Sequence, residues 1–346
     1  DVDPGNVAVY APPISGAYAG QSGYVQVVVQ KDVQKFFVGA IYGGDWRVTA
    51  SAVAGIEQDP RPYALLVLED PLDLRGTVSL IVNDGSIHVN DDVTRSGISN
   101  VVDVDGTLSA TGTIEVNESW QTGGIRPNIQ DPVPDPLAGT PPPSPGPPIT
   151  SAMLTAAGFT VSGPKWVCAG TCTLPPGYYH HSNISPSTIE AGGTVIFEPG
   201  IHYFDGNINL SASNTNSWIE ADGVLMYFTG NSSFTPGNGN FYLSAPCLPE
   251  TPSIGSCDGM AAYSGGANAM ALWIANCSQF DASGNGNYSV EGVIYAPCSF
   301  VSMDGTPSTL GMQVIVGELQ LRGTGSFTIN YRDYVRADYP RVFLVE

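Results

Sequence analysis

The sequence predicts a mainly β fold: a parallel β-helix, or solenoid, preceded by a small α+β module. Three observations carry this. The apolar strands Leu272–Ile274, Val293–Tyr295 and Val314–Val316 start about 20 residues apart. A loop-plus-strand unit recurs as Gly239-Asn240-Phe241-Tyr242-Leu243, Gly286-Asn287-Tyr288-Ser289-Val290 and Gly325-Ser326-Phe327-Thr328-Ile329. The 346 residues hold 41 Gly, 28 Pro and only 12 Lys+Arg, which suits short strands and many turns rather than long amphipathic helices. A solenoid coil cannot bury its own inward side chains, but stacked coils share one core, and Asn at the turns can form ladders from coil to coil. The competing fold, a β-sandwich, calls for antiparallel hairpins with two-residue turns.

Taken in order, residues 1–58 contain the alternating stretches Tyr24–Val29 and Trp46–Val53, with Val33–Ile41 between them readable as a short one-faced helix. The expectation is strand, strand, helix, strand. Residues 62–125 hold short strands such as Val78–Val82, Ser86–Val89, Val101–Val104 and Thr113–Val116, separated by turns including Asn83-Asp84-Gly85 and Asp105-Gly106. These form a first block of rungs. Residues 126–149 are Pro-rich (Asp131–Pro136, Thr140–Pro148) and predict a stiff polyproline II linker that separates strand blocks. Residues 150–346 form a second block, some seven rungs spanning about 34 Å at ~4.8 Å per rung.

Six cysteines, Cys168, Cys172, Cys247, Cys257, Cys277 and Cys298, predict three disulfides in an exported protein. Fifteen pairings are open; the sequential one is preferred, with Cys277 and Cys298 one rung apart and able to staple neighbouring coils. The chain opens at Asp1 with no targeting segment, so an exported protein is expected to have had one removed. A formal net charge of −20 argues against a nucleic-acid partner. No apolar run of about 18 residues is present, so no transmembrane segment is expected.

The stretches Ser15–Val25, Val48–Gly55 and Pro62–Leu68, the segment Asp135-Pro136-Leu137-Ala138-Gly139-Thr140-Pro141-Pro142-Pro143, and Phe197–Gly206, Gly223–Gly230 and Gly292–Pro297 together resemble TadG-like proteins of Flp (Tad) pilus-assembly systems. The matches run in order across nearly the whole chain. The resemblance implies an exported bacterial protein associated with a pilus or the cell envelope. It attaches no catalytic residues. The family usually carries an N-terminal transmembrane helix, which this sequence lacks.

Chemistry is sparse. A β-helix lyase needs acidic Ca²⁺ ligands and an Arg or Lys base, and a hydrolase needs paired carboxylates. The second block has one lysine, Lys165, and its arginines, Arg322, Arg332, Arg336 and Arg341, cluster late. Asp91-Asp92 is the one adjacent Asp pair and reads as a solvated loop. His180, His181 and His202 could meet near Cys168 and Cys172 as a metal site, but His pairs in a Tyr-rich loop read as surface or packing residues. Asp103-Val104-Asp105-Gly106 has the opening spacing of a Ca²⁺ loop without its later ligands, so no cofactor is expected, with one structural Ca²⁺ as the alternative. Tyr178, Tyr179 and Trp218 read as core or stacking residues, with sugar platforms as the alternative.

The expected function is therefore a non-catalytic, exported surface protein that assembles with copies of itself or with pilus or envelope proteins. A glycan-binding adhesin and a polysaccharide lyase or hydrolase are the alternatives. Val7, Val9 and Tyr10 near the start, and Val342, Phe343 and Leu344 near the end, are the candidates for strand donation.

Overall fold

The computed structural model describes residues 6–21, 24–33, 46–57, 62–97, 99–129, 131–212, 214–246, 248, 269–282, 286–304, 308–332 and 341–344. The chain divides into two compact units: residues 1–60 with 338–346, and residues 61–337. The second unit is thus an insertion in the first.

In the first unit, β1 (Val7–Tyr10), β2 (Tyr24–Val33), β3 (Trp46–Glu57) and β30 (Arg341–Leu344) form one antiparallel sheet in the order β1-β2-β3-β30. The expected strands at 24–29 and 46–53 are present. The helix expected over 33–41 falls outside the described residues except for Val33, which ends β2. The expected second block ran to residue 346; Arg341–Leu344 instead pairs with β3, Ala54 opposite Leu344. Nothing in a short apolar strand records which sheet will take it. The loop 11–21 bonds to one face of the sheet: Ile14 N donates to Gln26 Oε1 at 3.1 Å and Gln26 Nε2 donates to Ser15 Oγ at 2.8 Å.

The second unit is a parallel β-solenoid of about 11 turns. Its first strands are β4 (Tyr63–Val67), β5 (Leu72–Arg75), β6 (Ser79–Asn83), β7 (Ser86–Val89), β8 (Val93–Ser96), β9 (Val101–Ala110) and β10 (Gln121–Arg126). The stretch expected at 113–116 makes only a single bridge, Ile114 to Val93. After the Pro-rich segment come helix α1 (Ser151–Ala156), capped by the Thr150 hydroxyl on Met153 N, then β11 (Thr160–Ser162) and β12 (Lys165–Cys168). Full turns follow: β13 (Thr171–Leu174), β14 (Gly177–His180), β15 (Thr188–Ala191); β16 (Thr194–Phe197), β17 (Gly200–Asp205), β18 (Asn209–Ala212); β19 (Trp218–Ala221), β20 (Val224–Phe228), β21 (Ser233–Thr235). The remaining turns are β22 (Asn240–Ser244), β23 (Met270–Ile274), β24 (Phe280–Ala282); β25 (Tyr288–Glu291), β26 (Val293–Asp304); β27 (Ser308–Leu310), β28 (Gln313–Arg322); and β29 (Ser326–Asn330).

Spatial order departs from chain order at one place. β28 pairs in parallel with β4 and β5, and β29 with β6. The two strand blocks are therefore not separate. The turn that begins with β29 is completed by β4 and β5, and β6–β10 continue the stack. The solenoid reads 146–332 and then 62–126, and both breaks in the chain fall within that one turn. Tyr331 N donates to Asn83 O across this junction.

Each turn contributes inward side chains to one core. On the first sheet an inward row runs Tyr179, Phe204, Phe228, Ile274, Ala296, Val316, Val67, Val89. Phe204 and Phe228 stack at 4.6 Å with an 8° interplanar angle, as a 4.8 Å rung repeat dictates. The loop-plus-strand echo marks true rung neighbours, with Phe241 opposite Tyr288, and the apolar echo marks stacked turns one residue out of step, with Ile294 opposite Val314. A bulge after Met270, which lies opposite Val293, places Leu272 opposite Ile294 rather than Tyr295. Asn ladders form at the turns, with Asn83 Nδ2 donating to Asn330 Oδ1 at 2.8 Å and Asn287 Nδ2 to Asn240 Oδ1 at 3.1 Å. Tight rungs explain glycines there: a Cβ on Gly286 would sit 2.0 Å from the Gly239 carbonyl oxygen. Cys277–Cys298 staples adjacent turns, and Cys168–Cys172 closes the corner between β12 and β13. The expected Cys247–Cys257 pair falls outside the described residues.

Candidate functional site

The outward face of the first sheet is where the structure concentrates unusual features. Its in-register outward row is Tyr178, Tyr203, Tyr227, Trp273, Tyr295, Ile315, Leu66, His88, Ser109. From Tyr227 onward every member is buried, although each points away from the core. The cover is the Pro-rich segment, which runs back along the stack as a strap. Asn128 N and Ile129 N donate to Gly112 O and Ala110 O at one end. Asn90 then clasps Val133: Val133 N donates to Asn90 Oδ1 at 2.7 Å, and Asn90 Nδ2 donates to Val133 O at 2.8 Å. Tyr295 OH donates to Asp135 Oδ2 at 2.6 Å, and Pro147 O and Ile149 N bond the backbone of Tyr178 at the far end.

Proline suits this path because it has no N–H to leave unsatisfied and holds an extended conformation of about 3.1 Å per residue. Between Asp135 and Pro147 the strap crosses the turns bearing Trp273, Tyr227 and Tyr203. Four rung spacings of ~4.8 Å make about 19 Å, so the segment has slack, taken up by a turn in which Thr140 N donates to Leu137 O. Leu137 is buried at 4% exposure, so the strap packs apolar matter as well as hydrogen bonds. A shallow cleft at its edge is lined by Leu68, Glu69, Asn90, Pro132–Asp135, Pro297 and Cys298.

Two histidines are buried. His88 lies under the strap; its Nε2 donates to Asn90 Oδ1 at 3.0 Å, and its Nδ1 is 2.8 Å from Ser109 Oγ. His202 lies in the core; its Nε2 donates to Glu198 O at 2.8 Å, and its Nδ1 is 3.2 Å from the Tyr179 hydroxyl, which donates to Pro175 O. Burial pushes both down to about 4 against the weaker support of those bonds. Beside the cleft, burial and then Asp70 and Asp73 raise the Glu318 carboxyl, while Asp73 itself accepts from Arg75 Nε at 2.6 Å and Gln320 Nε2 at 3.1 Å. This carboxylate group spans β5 and β28, strands 247 residues apart, so no local motif announced it.

The structure separates the other candidate residues. His202 sits in the core, away from the outward-facing His180 and His181, whose rings are 4.3 Å apart, and Cys168 and Cys172 are bonded to each other. Among the described residues, no group of three or more His, Cys, Asp and Glu side chains is placed to hold a metal ion. Asp105 Oδ2 accepts from Asp84 N at 2.9 Å, a turn-to-turn bond at a left-handed residue (φ 60°). Asp92 accepts from Thr113 N and Oγ1, which holds its carboxyl below the usual range. Lys165 is paired with Glu190. Tyr179 is core, Tyr178 is half-buried beneath the strap's end, and Trp218 is 37% exposed. Val7 and Val9 lie on one edge strand of the small sheet with Tyr10; Val342, Phe343 and Leu344 lie on the other.

A disulfide-stapled solenoid with a strap is an architecture, and sequence comparison places it. Residues 138–336 match DUF7305, a domain of unknown function, and the chain belongs to that family. The matched stretch begins within the strap and ends just after β29, so β4–β10 extend the stack beyond it. No curated protein and no solved structure matches the chain. No helix among the described residues is long and apolar enough to cross a membrane.

Proposed function

We propose that this is a non-catalytic, exported structural protein that assembles with copies of itself at the bacterial surface. The observation that carries the reading is the small sheet, whose two edges are β1 and β30. Each edge strand is bonded on one side only among the described residues, and an edge strand is a template for pairing with another chain. The solenoid is inserted in the chain between β3 and β30, so each copy that joins through the small sheet brings a solenoid with it. Two disulfides support an oxidising compartment. The resemblance to TadG-like proteins supports a pilus or envelope setting for the assembly.

Electron microscopy of the non-reduced protein across a concentration series tests this. Ordered filaments that disappear when residues 1–10 are deleted support it. Dispersed particles at every concentration refute it. A second reading, glycan binding on the solenoid flank, is favoured by Trp218, an exposed tryptophan whose strand neighbour Thr194 and nearby Glu220 supply polar groups. Saturable binding on a glycan array, abolished by Trp218→Ala, supports that reading.

A further inference from the structure

The flank that bears Trp218 has a one-sided charge. β13, β16, β19, β22, β25, β27, β29 and β6 pair in parallel into one sheet, and alternate residues along each strand point outward. The central outward row, from Thr173 through Glu220 and Tyr242 to Thr328, is exposed or half-buried along its length, unlike the row beneath the strap. These strands carry two charged residues, Glu220 and Glu291, and no lysine or arginine; Asp222 directly follows β19. On β19 the outward residues are Trp218 and Glu220, and β22 places Tyr242 beside Glu220. Glu291 lies opposite Ser244, whose hydroxyl donates to Asp222. The acids converge on Tyr242: burial, and then the Glu291 and Asp222 carboxylates, push its hydroxyl up to about 12. Among the described residues none of Glu220, Asp222 and Glu291 forms an ion pair.

We infer that this surface binds a glycan built from sugars with free amino groups, one ring stacked on Trp218 and its ammonium paired with Glu220. The spacing suits it. A strand rises ~3.3 Å per residue and rungs lie ~4.8 Å apart, so Glu220 stands about 7 Å from Trp218 along the strand and ~4.8 Å from Tyr242 across the rung. A ring seated on the indole has one carboxylate at its edge and two more farther along the face. The inference rests on the glycan-binding reading and deepens it by naming the sugar. A uronic acid chain is repelled by the three carboxylates, and a neutral chain gains nothing from their charge. An amino sugar brings both an apolar C–H face for the indole and a cation for the acids. Ion pairs this exposed are weak singly, so the expected selectivity is about tenfold, spread over several pairs and sensitive to salt.

Calorimetric titration of the whole protein with a β-1,4-linked glucosamine hexamer and with its fully N-acetylated counterpart tests it, at about pH 6, where a sugar amine is charged. The expected result is about tenfold tighter binding of the free-amine hexamer, a preference that shrinks as salt rises from about 0.05 to 0.5 M. Glu220→Gln should remove most of that preference and leave the acetylated hexamer's affinity unchanged, whereas Trp218→Ala should weaken both at least tenfold. Both side chains lie at the surface, and an unchanged urea midpoint shows that the variants fold. Equal binding of the two hexamers, or preference for the acetylated one, overturns the inference and leaves the glycan reading standing; binding of neither refutes both. Binding of the free-amine hexamer that survives Trp218→Ala is attraction to the chain's net charge of −20 and overturns the site. Oligolysine bound as tightly, with the same loss in Trp218→Ala, would assign the surface to a basic protein segment and overturn the sugar.

Discussion

Acidification should destabilise the solenoid well before its carboxylates titrate, through His88 and His202. Both are fully buried, and burial holds each at about 4 in the fold against 6.5 for a free imidazole. Between those values the unfolded chain binds more protons than the native one, so stability is complete above about pH 6.5 and falls as pH drops toward 4. From pH 7.5 to 5.0 the linkage relation yields about 2 kcal/mol per histidine, or about 4 kcal/mol for the pair. The two act through different structures. His202 would place a cation in the core against the Tyr179 hydroxyl, whereas His88 would place one beneath the strap, one bond from the Asn90 clasp on Val133. Urea unfolding at several pH values between 7.5 and 5.0 reads the slope. His202→Gln keeps a donor for the Glu198 carbonyl, and His88→Gln keeps a polar group under the strap; each should remove about half of the pH dependence, whatever it does to stability at pH 7.5. An unchanged slope in the double variant would refute the reasoning.

Three further outcomes follow from the geometry. Cys277→Ser with Cys298→Ser opens a loop of sequence separation 21 and should cost about 3 kcal/mol in equilibrium unfolding, whereas removing Cys168–Cys172, separation 4, should cost nearer 2. Tyr295→Phe deletes the bond to Asp135, so hydrogen exchange over residues 133–140 should accelerate by about tenfold or more, as loss of a bond worth about 1.5–3 kcal/mol requires, while core strands stay protected. Phe228→Ala removes the ring stacked on Phe204 and should cost about 3–5 kcal/mol, seen as a lowered urea midpoint with the slope unchanged.

The sequence by itself determined the solenoid, because its rung period is local. Each turn repeats a glycine or asparagine corner and two or three short alternating strands, and these were readable one turn at a time. The stapling role of Cys277 and Cys298 followed from the same period. Only the tertiary structure decided which turn stacks on which. Parallel pairing between β28 and β4 joins residues 249 apart, and no side chain in Val314–Val316 or Leu65–Val67 encodes that choice, since every apolar strand of this kind offers the same backbone edge. The strap was legible as stiff and extended. That it lies on the outward row of the first sheet depended on aromatic side chains from five turns falling into register, from Tyr178 to Tyr295. The candidate surfaces were half legible: Val7, Val9 and Leu344 lie in apolar stretches near the two ends of the sequence, able to pair as strands. Which sheet held them emerged only once the chain had closed β30 onto β3.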